Sequence, residues 1–131
     1  MKVSFDFDKT LSEPHIQSVA KRSIQDGHDV YITTARFKHS SMPFINKDLF
    51  NIAAEIGIPE SNIRFTDGAE KINWLHGFDV HFDDCQLQLH DIKNTIPNIK
   101  CIWCRDDKHL QEITESTFEK TEFGILLLNK Q

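Results

Sequence analysis

The hydrophobic and polar residues of the chain follow two periods in turn, one typical of strands and the other of helices. Val3, Phe5 and Phe7 alternate with polar residues, which predicts a strand. The next segment has apolar residues at helical spacing, with Pro14 in its first turn and Gly27 at its end. Repeated along the chain, the two signals predict strands at about residues 2–7, 29–33, 63–66, 80–82 and 100–104, and helices at about 14–25, 43–56, 72–75 and 86–95.

This alternation predicts an α/β fold, in which a mainly parallel sheet carries helices on both faces. With about five strands, the expected architecture is a Rossmann-like, doubly wound sheet. A length of 131 residues predicts a single domain over residues 1–131. Near the end of the chain, Leu110 and Ile113 suggest a further helix, and the apolar run at residues 124–128 suggests a strand or a packed tail.

The composition narrows the choice of function classes. Apolar residues make up 39% and charged residues 27% of the chain, and no apolar run approaches the ~20 residues of a membrane span. No basic and then apolar signal segment precedes Val3, so we expect a cytoplasmic protein without a membrane partner. The formal net charge of −5 argues against non-specific binding to nucleic acids, which requires clustered lysine and arginine.

The three cysteines form no complete disulfide framework. Cys101 and Cys104 have the Cys-x-x-Cys spacing, but they lie in a predicted strand, where residues three apart point to opposite faces. Cys85 stands alone, so a second pair with zinc-site spacing is absent from the sequence. We therefore expect Cys101 and Cys104 to pack as small hydrophobic side chains.

Polar side chains follow three of the predicted strands at the point where each strand ends. Because the carboxyl ends of parallel strands meet at one edge of a sheet, where open α/β sheets bind their ligands, we expect these side chains to lie together. Three strands that end in this way are stronger evidence for a site than any single pair. The residues are Asp6 and Asp8, Thr33 and Thr34, and Asp83 and Asp84.

The two aspartates after the first strand are the most informative pair. In an extended chain Asp6 and Asp8 point to the same side, roughly 6.5 Å apart. Two like charges at that distance favour a cation or a proton between them. The segment Asp6-Phe7-Asp8-Lys9-Thr10 resembles the Asp-x-Asp-x-Thr motif of the haloacid dehalogenase-like (HAD) phosphatase superfamily.

A second element of that superfamily is a hydrophobic strand that ends in threonine or serine, whose hydroxyl and backbone N–H hold a phosphoryl oxygen. Thr34 matches this position best, and Thr33 is the alternative. Arg36 and His39 follow in the same loop, where they could contact the substrate.

The third and fourth elements follow in the same order as in the superfamily. Lys71 stands in the first turn of a predicted helix, a position that favours an anion and disfavours a lysine. The acidic pair Asp83-Asp84 follows a buried strand, and adjacent carboxylates suit a divalent cation with oxygen ligands. The resemblance covers residues 3–84 and extends beyond them only through the alternation of strands and helices.

The resemblance implies a two-step phosphoryl transfer. Asp6 would attack phosphorus and form an aspartyl-phosphate, and Asp8 would protonate the leaving oxygen and then deprotonate water. The phosphate would be held by Lys71, by Thr34 or Thr33, and by Arg36. Mg²⁺ would bind the Asp6 carboxylate, the Asp8 backbone carbonyl, and either Asp83 or Asp84, a choice that the sequence leaves open.

The length of the connecting segments bears on the substrate. Phosphatases of this superfamily often carry a cap domain, but here residues 11–29 and 37–70 are taken up by predicted core elements. The resemblance therefore implies a small capless member with an open site, which acts on a large phosphorylated substrate or covers its site by homo-oligomerisation. A nucleotide or a phosphorylated polynucleotide end is the first expectation, and a small sugar phosphate is the second.

Two other interpretations are compatible with a small α/β protein that has clustered acids. One is a catalytically silent binding protein that keeps the HAD fold. The other is a signalling receiver domain, in which the phospho-accepting aspartate ends the third strand. Here the third strand ends at Thr66-Asp67 and Lys71 precedes the acidic pair, an order that counts against the receiver domain.

Overall fold

A computed structural model describes residues 1–104 of the chain. In this part five strands form one sheet in which every neighbouring pair runs parallel. The strands are β1 (Lys2–Phe5), β2 (Asp29–Thr34), β3 (Ile63–Phe65), β4 (Val80–Asp83) and β5 (Lys100–Trp103), in the spatial order β3-β2-β1-β4-β5. The helices are α1 (Pro14–Gln25), α2 (Lys47–Ile56), α3 (Ile72–Leu75) and α4 (Gln86–Thr95). The predicted Rossmann-like, doubly wound α/β fold is confirmed.

The two faces of the sheet differ in what covers them. Alternate residues of β1 and β4, such as Phe5 and Phe82, pack with α1 and α2 in the larger apolar cluster. Their rings stack with centroids 4.5 Å apart. On the other face Leu75 of α3 and Ile92 of α4 form a smaller cluster. The smaller cluster leaves room on that face for polar side chains of the central strands.

Cys101 and Cys104 lie on opposite faces of the sheet and pack against apolar side chains, as predicted. Cys104 is fully buried in the larger cluster, whereas Cys101 packs against the smaller one. Burial, together with the negative charge of Asp83, raises the pKa of both thiols. Both side chains therefore pack as protonated, weakly polar groups on opposite faces of the sheet.

The end of the first strand differs from the prediction. The Asp6 N–H still donates to the Phe82 carbonyl at 2.8 Å, but the chain then leaves the sheet. Lys9 has a φ of +60°, and the Leu11 N–H donates to the Asp6 carbonyl at 3.1 Å, which closes a wide turn over Phe7–Leu11. Asp6 and Asp8 therefore do not lie along one extended strand, and the first strand ends at Phe5 rather than at Phe7 as predicted.

The predicted helix at residues 43–56 is also divided. A short 3-10 turn spans Pro43–Asn46, and α2 begins at Lys47. Asn46 is buried because its amide donates to the backbone carbonyls of Phe37 and Lys38, at 2.9 and 3.0 Å. These bonds fix the loop between β2 and α2.

The chain order creates a crevice at one edge of the sheet. β1 lies between β2 and β4, so the connections from β1 lead to one side and the connection from β4 leads to the other. In folds of this type ligands bind at the carboxyl ends of the strands where the order reverses. The carboxyl ends of β1 and β4 meet at that point.

The helix and tail predicted at Leu110, Ile113 and residues 124–128 lie outside the described residues. The segment between β1 and β2 holds α1, and the one between β2 and β3 holds α2 and two short 3-10 turns. Among residues 1–104, every helix is too short or too polar to cross a membrane.

Replacing Phe82 by alanine should lower the free energy of unfolding by about 3–5 kcal/mol, because the side chain is 1% exposed and stacks on Phe5. Urea unfolding followed by circular dichroism measures the loss. Phe44→Ala is the matched control, since Phe44 is 69% exposed and its removal should change stability by less than about 0.5 kcal/mol. Equal losses in the two variants would contradict the position of Phe82 in the core.

Candidate functional site

A buried lysine ammonium joins two carboxylates at the carboxyl edge of the sheet. Lys71 Nζ lies 2.7 Å from Asp6 Oδ1 and 2.7 Å from Asp83 Oδ2. The Lys71 side chain is 3% exposed, and those of Asp6 and Asp83 are 9% and 1% exposed. The three residues come from separate segments, which follow β1, precede α3 and end β4. The structure thus brings together three of the predicted site residues.

Strand register explains why the two carboxylates meet. Phe5 of β1 pairs with Phe82 of β4, so the next residues along the strands, Asp6 and Asp83, lie side by side. Lys71 reaches them from the loop after β3, which is held by a hydrogen bond from the Gly68 N–H to the Ala35 carbonyl at 2.8 Å.

Asp83 is held by more partners than the ammonium alone. Its Oδ1 accepts a hydrogen bond from the Cys85 N–H at 3.1 Å, and its Oδ2 also accepts one from His81 Nε2 at 2.9 Å. The other ring nitrogen of His81 lies 3.0 Å from the Ser4 hydroxyl oxygen, which in turn lies 2.8 Å from that of Thr33. A continuous hydrogen-bonded chain therefore runs beneath the site from Thr33 to Lys71.

Sequence reasoning missed His81 and Ser4. His81 is fully buried and contacts Asp83 of the site. A signal was present, because Ser4 and His81 are polar residues that each lie between a valine and a phenylalanine in a strand. Their direct pairing in the β1–β4 register explains why both are polar.

Burial and mutual interaction change the acidity of these groups. Burial and the charge of Asp83 raise the pKa of Asp6 to about 8, against the opposing effect of Lys71. Burial also opposes ionisation of Asp83, but the hydrogen bond from His81 and the charge of Lys71 outweigh it and lower that pKa. Burial disfavours the Lys71 ammonium, yet the two carboxylates raise its pKa. Burial lowers the pKa of His81, which keeps the imidazole neutral at pH 7.

A third carboxylate completes the cluster. Oxygens of Asp6, Asp83 and Asp84 all lie within 4.8 Å of one another. Asp84 is only partly buried, and its carboxyl contributes to the raised pKa of Asp6. Three carboxyl groups carry more negative charge than one ammonium neutralises, so a proton or a divalent cation is needed to balance them. This oxygen-only donor set fits Mg²⁺.

Asp8 and Arg36 form a separate ion pair at the rim. Arg36 donates from Nε and Nη2 to both oxygens of Asp8, at 3.0 and 2.7 Å. Nη1 and Nη2 also donate to the two oxygens of Asp48, at 2.8 and 2.9 Å. The hydrogen bonds that Arg36 donates to Asp48 and Asp8 raise its pKa and keep it charged. The predicted phosphate ligand Arg36 thus has every guanidinium nitrogen engaged with carboxylates.

The threonines occupy different positions around the cluster. Thr34 is buried, and its hydroxyl oxygen accepts a hydrogen bond from the Arg36 N–H at 3.2 Å, so it stabilises the turn after β2. Thr33 belongs to the hydrogen-bonded chain beneath the site. Thr10, in the Asp-x-Asp-x-Thr segment, donates to Asp6 Oδ2 at 3.2 Å. Both oxygens of Asp6 are therefore oriented, one by Thr10 and the other by Lys71.

Backbone strain also concentrates at this edge. Lys9, His39 and Asp67 have φ values of +60°, +52° and +54°, a region that non-glycine residues rarely adopt. Each lies in a loop that follows the carboxyl end of a strand: β1, β2 or β3. Strain of this kind clusters at functional sites.

Comparison of the chain with protein-family models, curated proteins and solved structures finds no match.

Replacing Lys71 by methionine should lower the free energy of unfolding by about 3–5 kcal/mol, because it leaves Asp6 and Asp83 buried without a counter-charge. The double variant Lys71→Met/Asp83→Asn should recover part of this loss, since the lowered pKa of Asp83 keeps that carboxylate ionised, whereas the raised pKa of Asp6 lets that group become neutral. Urea unfolding in EDTA measures both variants without metal. A double variant less stable than the single one would show that Lys71 is not acting as a counter-charge.

Proposed function

We propose that this protein is a Mg²⁺-dependent phosphomonoester hydrolase of the HAD type that works through an aspartyl-phosphate. The observation that carries the proposal is the cluster of Asp6, Asp83, Asp84 and Lys71 at the point where the strand order reverses. It combines a nucleophile, a cation site and an ammonium for phosphate oxygens at one place.

Asp6 is the proposed nucleophile. Its carboxylate is oriented by Thr10 and Lys71 and is largely shielded from water, which fixes the direction of attack. The oxygen of Asp6 bonds to phosphorus as the bond to the leaving oxygen breaks, and water then releases phosphate and regenerates the carboxylate. Lys71 stabilises the negative charge on the phosphoryl oxygens during both steps.

Asp6 and Asp84 are the residues proposed to hold Mg²⁺. Both oxygens of Asp83 already accept hydrogen bonds, whereas Asp84 is partly exposed beside Asp6. We therefore propose that the Asp84 carboxylate contacts Mg²⁺ directly and that Asp83 holds Lys71 in position. A bound Mg²⁺ keeps Asp6 ionised and neutralises charge on the phosphate.

Asp8 is the proposed general acid and base. It is exposed at the rim and bound through both oxygens to Arg36, so it must release one of these bonds to carry a proton. We assign Arg36 the role of positioning Asp8, because its donors are engaged with Asp8 and Asp48 rather than directed at the cluster. Thr34 and Thr33 are retained as candidates for contacting phosphate through the turn after β2.

The alternative interpretations predict different behaviour. Receiver domains have the flavodoxin-like strand order 2-1-3-4-5, whereas this sheet has the order 3-2-1-4-5, which favours the hydrolase. A silent binding protein would bind Mg²⁺ and phosphate without turnover, and the following experiment separates it from an enzyme.

Hydrolysis of p-nitrophenyl phosphate should require Mg²⁺ and should be lost in the Asp6→Asn variant, which removes the nucleophile without a change of volume. The measurement is release of nitrophenolate in MgCl₂ and in excess EDTA. The matched control is Asp29→Asn, because Asp29 lies at the opposite edge of the sheet, at the start of β2. Full activity in EDTA would refute the metal assignment, and normal rates in Asp6→Asn would move the chemistry elsewhere.

Asp8→Asn should trap the phosphorylated enzyme. With an activated leaving group, phosphorylation of Asp6 needs little help from an acid, whereas hydrolysis of the aspartyl-phosphate still needs a base. We expect a burst of about one nitrophenolate per chain, followed by very slow turnover. Pre-steady-state absorbance and the mass of the intact protein measure it. Wild-type turnover with no burst and no added phosphoryl mass would show that Asp8 is not the acid and base.

A further inference from the structure

The loop between β2 and α2, residues 35–46, exposes large apolar side chains next to the candidate site. Of the six large hydrophobic residues that are exposed among residues 1–104, four belong to this loop. Scattered exposed apolar residues are ordinary, but a concentration of them in one loop marks a binding surface. They are Phe37, Met42, Phe44 and Ile45, with exposed fractions of 56%, 47%, 69% and 44%.

Part of this loop forms one wall of an open groove of about 480 Å³. Phe44 and Phe50 contribute aromatic surface, and Lys38 and Lys47 contribute positive charge. Glu60 is the acidic residue of the lining. The volume is within the range of small-molecule sites, about 300–1,000 Å³.

The groove is preformed and connected to the proposed catalytic residues. Asn46 fixes the loop by donating to the carbonyls of Phe37 and Lys38, and its Oδ1 accepts a hydrogen bond from Arg36 at 3.3 Å. Arg36 in turn holds Asp8. The groove and the residue that holds Asp8 therefore belong to the same loop, in which Lys38 lines the groove and Arg36 contacts Asp8.

The two lysines of the groove, Lys38 and Lys47, are exposed and not held in ion pairs within the described part of the chain. In a chain with a net charge of −5, two lysines beside an exposed phenylalanine favour an external anion with an aromatic group. Lysines that follow a phosphate backbone, together with aromatic rings that stack on bases, are the features that bind single-stranded nucleic acid.

We propose that this groove binds the nucleotides next to the phosphorylated end of a single-stranded oligonucleotide. This rests on the proposed function, in which the terminal phosphate lies at Asp6 and Lys71. A mononucleotide has only that one phosphate and would leave Lys38 and Lys47 without a partner. An oligonucleotide supplies the next phosphates for these lysines and a base to stack on Phe44.

The first experiment measures binding without catalysis. The probe is fluorescein-labelled hexathymidylate with no terminal phosphate, in MgCl₂, followed by fluorescence anisotropy. We expect the affinity to fall about fivefold or more in Phe44→Ala and to recover in Phe44→Trp, which restores stacking. The slope of log K against log salt should be about −1.4 for the two lysine contacts, and about −0.7 in Lys47→Gln.

The matched control is Lys21→Gln, an exposed lysine of α1 that does not line the groove. It should leave both the affinity and the salt slope unchanged. No binding by the wild-type protein, or equal losses in Lys21→Gln and Lys47→Gln, would overturn the proposal. Thymidine monophosphate that competes as strongly as hexathymidylate would overturn the choice of an oligonucleotide. Self-association of the free protein that Phe44→Ala abolishes would assign the surface to a second copy of the chain instead.

The second experiment compares two substrates. For each variant, kcat/KM is measured with phosphorylated hexathymidylate, carrying the phosphate on its 5′ or its 3′ end, and with p-nitrophenyl phosphate. Phe44→Ala and Lys47→Gln should lower the ratio of kcat/KM for the oligonucleotide to kcat/KM for p-nitrophenyl phosphate about fivefold or more. The change should come mainly from a higher KM for the oligonucleotide. An unchanged ratio would overturn the proposal.

The outcomes distinguish a failure of the groove assignment from a failure of the proposed function. If the protein binds hexathymidylate with the expected salt slope but hydrolyses neither substrate, the proposed function is wrong and the groove assignment stands. If p-nitrophenyl phosphate is hydrolysed in a Mg²⁺-dependent manner and hexathymidylate is not bound, the groove assignment is wrong and the hydrolase stands.

Discussion

The site depends on one ammonium group that lies between two buried carboxylates. Lys71 joins the ends of β1 and β4 to the loop before α3, so three segments distant in sequence share one charged contact. Buried carboxylates are costly without a partner, and the lysine is what allows Asp6 and Asp83 to lie together. The negative charge of the three-aspartate cluster that Lys71 leaves unbalanced suits a divalent cation, as the proposed function requires.

The sheet supports this arrangement through the difference between its two faces. The face under α1 and α2 is apolar and closely packed with these helices, and it supports the strand register that places Asp6 beside Asp83. The opposite face has the polar chain of Thr33, Ser4 and His81, which ends on Asp83. Such a chain is favourable only when every member has a partner. These polar side chains occupy part of that face, and the apolar cluster there is therefore the smaller of the two.

Periodicity predicted the elements better than the contacts between them. The bounds of α1 and α4 agree with the sequence because Pro14, Gly27 and Pro97 mark or follow their ends. Phe7 continued the strand alternation, yet it is buried in a turn, with the Arg36 guanidinium 4.9 Å from its ring centroid. Local pattern does not distinguish these two ways of burying a phenylalanine. The ion pairs of Arg36 with Asp8 and Asp48, 28 and 12 positions away, likewise depend on tertiary structure.

The β2–α2 loop and the aspartate cluster are held in place by different contacts. The cluster is fixed by strand register, whereas the loop is held through the backbone carbonyls of Phe37 and Lys38 by the side chain of Asn46. Bonds to backbone carbonyls do not depend on which side chains those residues carry. Exchange of residues 37–45 between Arg36 and Asn46 would therefore change the surface beside the candidate site and leave the strand register and the aspartate cluster as they are.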